Sequence, residues 1–115
     1  MRQDLPEGKA EAKDCVGMQT VEKLNKESVQ GWMRARKGWF RRNNRLMKEY
    51  VFRSFRDSIV FVNRIATLAD SLDHHPDIDV RFNKVTVALT THDAGGITEK
   101  DLELAEQIDF STSAQ

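Results

Sequence analysis

The stretch SFRDSIVFVNRIATLADSL, residues 54–72, decides the fold. Its apolar positions Phe55, Ile59, Val62, Ala66, Ala69 and Leu72 recur at steps of three or four, which predicts a long amphipathic helix with that stripe turned inward. Pro76 forbids its continuation. Upstream, residues 37–41 and 46–52 carry aromatic and aliphatic side chains around Arg42-Asn43-Asn44, and asparagine tolerates the left-handed backbone of a tight hairpin turn. Downstream, residues 79–82 and 85–91 alternate, with Val85, Val87 and Leu89 on one face, Thr86, Ala88 and Thr90 on the other, and a turn near Asn83-Lys84. At the two ends, Thr20 is placed to cap a helix over residues 20–30, with Val21, Leu24 and Ser28 on one side and Gly31 as its stop. Gly95-Gly96 breaks the chain, and Thr98-Glu99-Lys100-Asp101 has the form of a capping box opening a last helix with Leu102, Ala105 and Ile108 inside. The order α-ββ-α-ββ-α implies an α+β two-layer sandwich, a four-stranded antiparallel sheet with helices on one face.

A chain of 115 residues and 13.2 kDa fits one domain, here residues 18–115 behind a leader, 1–17, rich in Lys, Glu, Asp, Gly and Ala. With 39% hydrophobic and 31% charged residues it is too apolar for disorder, and its longest apolar run, Ile59–Val62, is far short of the roughly 20 residues of a membrane span. The first residues lack a secretory signal's apolar core and the single cysteine, Cys15, has no internal partner, so a cytoplasmic location is expected and Cys15 has no assigned role. Formal net charge is zero, yet residues 1–57 hold 14 Lys and Arg against 8 Asp and Glu, and residues 58–115 hold 4 against 10. Seven basic and no acidic residues fall within 34–48, interleaved with Trp39 and Phe40. Nucleic-acid binders and anion sites share that composition, but a solvated hairpin edge protected by charge is the favoured reading, and no direct nucleic-acid contact is expected.

The three histidines supply the chemical signal: His74 and His75 follow the central helix and His92 ends the last strand. Imidazole is the side chain whose ordinary pKa lies nearest neutrality, so two or three converging on a pocket exchange protons at working pH without a metal. Asp73, Asp77 and Asp93 are near enough in sequence to orient them. The alternative is that they cap helix ends and bond the backbone, and spacing alone does not separate the two. A metal site is the sharper rival, but no His-x-x-x-His or Cys-x-x-Cys spacing occurs, and neighbours in extended chain point apart. Asp101 either faces the site or, as the third helical residue, accepts backbone N–H bonds.

The spacing as a whole resembles the pterin-4a-carbinolamine dehydratases, also known as dimerisation cofactors of a homeodomain transcription factor. Their pattern of an acidic or polar residue, His-His-Pro, an aromatic, a His and an Asp reads here as Asp70, His74-His75-Pro76, Phe82, His92 and Asp101, and the likeness spans residues 46–109. Asp70 stands where members often carry Glu. The resemblance implies a dehydratase acting on 4a-hydroxytetrahydropterin, with His74, His75 and His92 catalytic and Asp70, Pro76, Phe82 and Asp101 binding substrate or supporting the histidines. It implies no cofactor and no metal, since the pterin is the substrate. The implied partners are a second or further copies, as homodimer or homotetramer, and an aromatic amino acid hydroxylase. A non-enzymatic partner-binding or coactivator protein of the same fold stays open beside it.

Overall fold

The computed structural model describes residues 22–113. Its elements are α1 (Lys26–Arg34), β1 (Phe40–Arg42), β2 (Arg45–Val51), α2 (Phe55–Leu72), β3 (Asp77–Arg81), β4 (Lys84–Leu89), a single 3-10 turn (His92–Ala94) and α3 (Glu99–Ser113). The strands form one antiparallel sheet in the order β1-β2-β4-β3, so the two hairpins meet along β2 and β4. The α+β two-layer arrangement is therefore as the sequence implies. The leader and Cys15 lie outside the described residues.

Register follows from alternation. Leu46 pairs with Leu89, Lys48 with Val87 and Tyr50 with Val85, and on the far side Ile78 pairs with Val87 and Val80 with Val85. All these side chains share one sheet face, on which Leu46, Val85, Val87 and Leu89 have no exposure. Against them pack Val29 from α1, Phe61 and Ile65 from α2, and Leu104, Ala105 and Ile108 from α3. The opposite face carries Met47, Glu49, Thr86, Asp77, Asp79 and Arg81, and no helix covers it among the described residues.

Both hairpin turns use a left-handed residue. Asn43 supplies it at φ 57° in the first hairpin, as its side chain permits. In the second the bend comes one residue before the expected Asn83-Lys84: Phe82 takes φ 55°, an uncommon conformation for a bulky residue. Asn83 holds it there, accepting the Phe52 N–H at 2.8 Å and donating its side-chain amide to the Phe52 carbonyl at 2.9 Å.

Two helical expectations are corrected. The first helix begins after Asn25, whose side chain accepts the Ser28 N–H at 2.8 Å, and it runs through Gly31, because Val29, Trp32 and Met33 give it a packed face that outweighs one glycine. Thr20 and Val21 lie outside the described residues. The long helix also turns a partly different side inward: Val62, Ala69 and Leu72 of the expected stripe meet the core, but Phe55, Ile59 and Ala66 do not. Ser58, Phe61, Ile65 and Ala69 are buried, whereas Phe55 is 53% and Ile59 36% exposed. The helix carries apolar residues on two sides, and the sheet selects the side holding Phe61, Ile65, Leu68 and Leu72. No helix among the described residues is long and apolar enough to cross a membrane.

A polar knot fastens the C-terminal helix to the sheet. Asp109 of α3 accepts from Tyr50 Oη at 2.6 Å, Lys48 Nζ at 2.9 Å and Trp39 Nε1 at 2.8 Å. One turn earlier, Glu106 accepts from Trp32 Nε1 at 2.9 Å and from Arg36 at 2.7 Å. With the Arg45–Asp77 pair, three of the basic residues in 34–48 thus meet acidic residues of the C-terminal half within one chain. Burial first, then the hydrogen bond and charge of Asp109, push the Tyr50 phenol well above the usual tyrosine range.

Two outcomes test this packing. In urea unfolding, Phe61→Ala is expected to cost about 3–5 kcal/mol and Phe55→Ala less than about 0.5 kcal/mol; equal costs would refute the assigned face of α2. The raised Tyr50 pKa means that above about pH 10 the unfolded chain releases a proton the folded chain keeps, so stability falls as pH rises through that value. Tyr50 is the single tyrosine, so tyrosinate absorbance is expected to appear only as the chain unfolds. Ionisation near pH 10 in the folded protein would contradict the knot.

Candidate active site

The central helix ends because Asp73 adopts φ 51° and ψ 44°, a left-handed closure in which the Asp73 N–H reaches the Asp70 carbonyl at 3.3 Å and the His74 N–H the Ala69 carbonyl at 3.0 Å. The bend thus lies at Asp73, before the histidines. Half-buried Pro76, which has no N–H to offer the ladder, then leads into β3. The pairing of Asp77 with Ala88 sets the start of β3 beside the end of β4. His74 and His75, just before β3, and His92, just after β4, therefore emerge at the same end of the sheet.

Each imidazole has a different setting. His74 is 12% exposed, and its Nε2 lies 2.5 Å from Oδ1 of Asp101, a carboxylate with no exposure at all. His75 is open to solvent, and its Nε2 lies 3.0 Å from Oδ1 of Asp70 on the last turn of α2. His92 opens the 3-10 turn and lines an open cleft of about 340 Å³ with Asn43, Asn44, Arg45, Thr90 and Gly95. The carboxylates in contact with the histidines are thus Asp70 and Asp101; Asp73 closes a helix and Asp77 pairs with Arg45.

Asp101 accepts the backbone N–H bond that its place in the first helical turn implies, and it also contacts His74. Its Oδ1 takes His74, while Oδ2 accepts the Thr98 N–H at 2.9 Å and the Thr91 hydroxyl at 2.9 Å. The Thr98 hydroxyl in turn accepts the Lys100 N–H at 3.2 Å, which completes the capping box. Thr91 was not marked by any spacing; only its position directly before His92 hints at it. Phe82 sits apart: it is 69% exposed at the far end of β3, about 16 Å of strand away from the histidines of the same chain. Among the described residues no group of three or more His, Cys, Asp and Glu side chains is placed to hold a metal ion.

The arrangement offers one carboxylate-backed, nearly enclosed imidazole and two accessible ones at one end of a rigid sheet, a set suited to paired proton transfers. Residues 22–111 match the family described as Pterin 4 alpha carbinolamine dehydratase. A Sulfurisphaera tokodaii protein assigned by name to the pterin-4-alpha-carbinolamine dehydratases is 43% identical over 89 residues, covering 77% of this chain and 96% of its own. A Roseiflexus relative assigned likewise is 54% identical over 72 residues, 63% of this chain and 77% of its own. Among solved structures, a transcriptional coactivator/pterin dehydratase from Brucella melitensis superposes with a TM-score of 0.74 at 29% identity, covering 76% of this chain and 96% of that one. A pterin dehydratase-like protein described as a RuBisCO assembly factor in the alpha-carboxysome shares the fold alone, with a TM-score of 0.51 at 22% identity over 62% of this chain and 82% of that one.

Proposed function

The chain belongs to the pterin-4a-carbinolamine dehydratase family, and on that premise we propose that it removes water from 4a-hydroxytetrahydropterin to give the quinonoid dihydropterin. The observation that carries this reading is the arrival of His74, His75 and His92 at one end of the sheet, two of them beside carboxylates. The reaction breaks the C4a–O bond. One imidazolium gives a proton to the departing hydroxyl, and a neutral imidazole takes the proton from ring N5, so water leaves and the C4a–N5 double bond forms. His74 and His92 serve as this acid and base, and His75 holds the substrate hydroxyl or the ring. Asp101 and Asp70 orient His74 and His75. The pterin is substrate, and the mechanism uses no cofactor and no metal; in a cell this step follows an aromatic amino acid hydroxylase, whose spent pterin it regenerates.

A second reading rests on the surface. The uncovered sheet face and the exposed Phe55, Ile59 and Val60 of α2 suit contact with other chains, and a Brucella relative is described as a coactivator as well as a dehydratase. Self-association as a homodimer or homotetramer is the form proposed here, with partner binding as a further use of the same faces.

Mixing the purified protein with freshly formed 4a-hydroxytetrahydropterin is expected to speed quinonoid dihydropterin formation above the unaided rate, and a chelator is expected to leave that rate unchanged. His74→Ala and His92→Ala should each slow the enzymatic step by about 10²- to 10⁴-fold, with the unaided reaction as the floor. No acceleration by the intact protein would refute the dehydratase reading, and loss on chelation restored by a metal would refute the metal-free mechanism. In sedimentation at micromolar concentration a dimer or tetramer is expected; a single 13.2 kDa species would refute self-association.

A further inference from the structure

The donors around Asp101 leave little freedom in where the protons sit. Oδ2 receives the backbone N–H of Thr98 at 2.9 Å and the Thr91 hydroxyl at 2.9 Å, and Oδ1 faces His74 Nε2 at 2.5 Å. Oδ2, which receives two donors, carries no hydrogen, and imidazole is the better proton acceptor of the facing pair. The shared proton therefore resides on His74 Nε2. An ionised carboxylate only accepts, so the single hydroxyl hydrogen of Thr91 points to Asp101. The Thr98 hydroxyl, 2.7 Å from that of Thr91, must then donate to Thr91, while accepting the Lys100 N–H. Proton direction is set along the whole chain from Thr98 through Thr91 and Asp101 to His74.

We propose that this hydrogen-bond chain holds His74 as its Nε2–H tautomer, leaving Nδ1 as the atom that exchanges protons with substrate, and that Thr91 is the positioning residue that maintains it. The kinetic half of this inference rests on the dehydratase reading; the tautomer does not. Thr91 is placed to link the two histidines. Its carbonyl accepts the N–H groups of Ala94 at 3.1 Å and Gly95 at 3.0 Å, which shapes the turn carrying His92, while its N–H donates to the Gly96 carbonyl at 2.9 Å. One residue thus sets the backbone that bears His92 and, through its hydroxyl, the carboxylate that bears on His74. Valine matches threonine in shape and lacks the hydroxyl donor, whereas serine keeps it.

The test is 15N–1H correlation of the imidazole nitrogens in the ligand-free protein, together with steady-state dehydration kinetics, for the natural chain, Thr91→Val and Thr91→Ser. The natural chain is expected to show His74 protonated at Nε2, with a downfield, slowly exchanging proton, and a bare Nδ1 once neutral. In Thr91→Val that proton is expected to move upfield or vanish into solvent exchange, and kcat to fall about tenfold with KM within about twofold, as when an orienting partner of an imidazole is lost. Thr91→Ser restores both. A neutral His74 protonated at Nδ1 in the natural chain overturns the proposal whatever the variants do, and so does a Thr91→Val chain with unchanged His74 resonances and kcat. If the natural chain fails to dehydrate the pterin, the dehydratase reading falls while the nitrogen spectra still decide the tautomer.

Discussion

A carboxylate with no solvent exposure, Asp101, joins three parts of the molecule that are distant in sequence or belong to different elements. Burying an ionised group costs several kcal/mol unless its oxygens find donors, and here the donors come from the start of α3, the end of the last strand and the loop after α2. Its place in the first turn of α3 adds the favourable field of a helix N-terminus. Satisfying that one group sets the helix start, the strand end and the His74 loop in register with each other.

The sheet supplies the second constraint. Antiparallel pairing of β3 with β4 brings residues 74–75 and 92 to the same end although a whole hairpin separates them in sequence. The opposite end of that hairpin holds Phe82, so the aromatic of the sequence pattern and the histidines occupy opposite ends of one hairpin. The charge asymmetry between the halves has a similar origin. Lys48 with Asp109, Arg36 with Glu106, and Arg45 with Asp77 tie basic residues of the first half to acidic residues of the second, so much of the apparent dipole closes on itself inside the chain.

The features legible in the sequence are those decided locally. Asn43 at a hairpin turn, the Thr98 to Asp101 capping box and the helical period of residues 54–72 depend only on neighbours along the chain. The face of α2 was not fully legible: Val62, Ala69 and Leu72 lie inward as the period implies, but Phe55 and Ile59 are as apolar as Phe61 and Ile65 and only the sheet decides which pair is buried. Nor was the start of α1, where the Asn25 cap and the packing of Val29 and Trp32 outweigh Gly31. In the site the clustering of histidines was visible and the family pattern marked Asp70 and Asp101, but nearness in sequence pointed instead to Asp73, Asp77 and Asp93, whereas His74 pairs with Asp101 at a separation of 27 residues.

In the proposed dehydration Asp101 serves catalysis through His74, a coupling that a double-mutant cycle on the rate measures directly. Asp101→Asn, His74→Gln and the double variant would be compared with the natural chain, with folding of each verified by circular dichroism. If Asp101 acts through the imidazole, Asp101→Asn slows the natural chain and has no further effect once His74 is glutamine. An equal slowing factor in both backgrounds would contradict the account, because the two residues would then contribute independently.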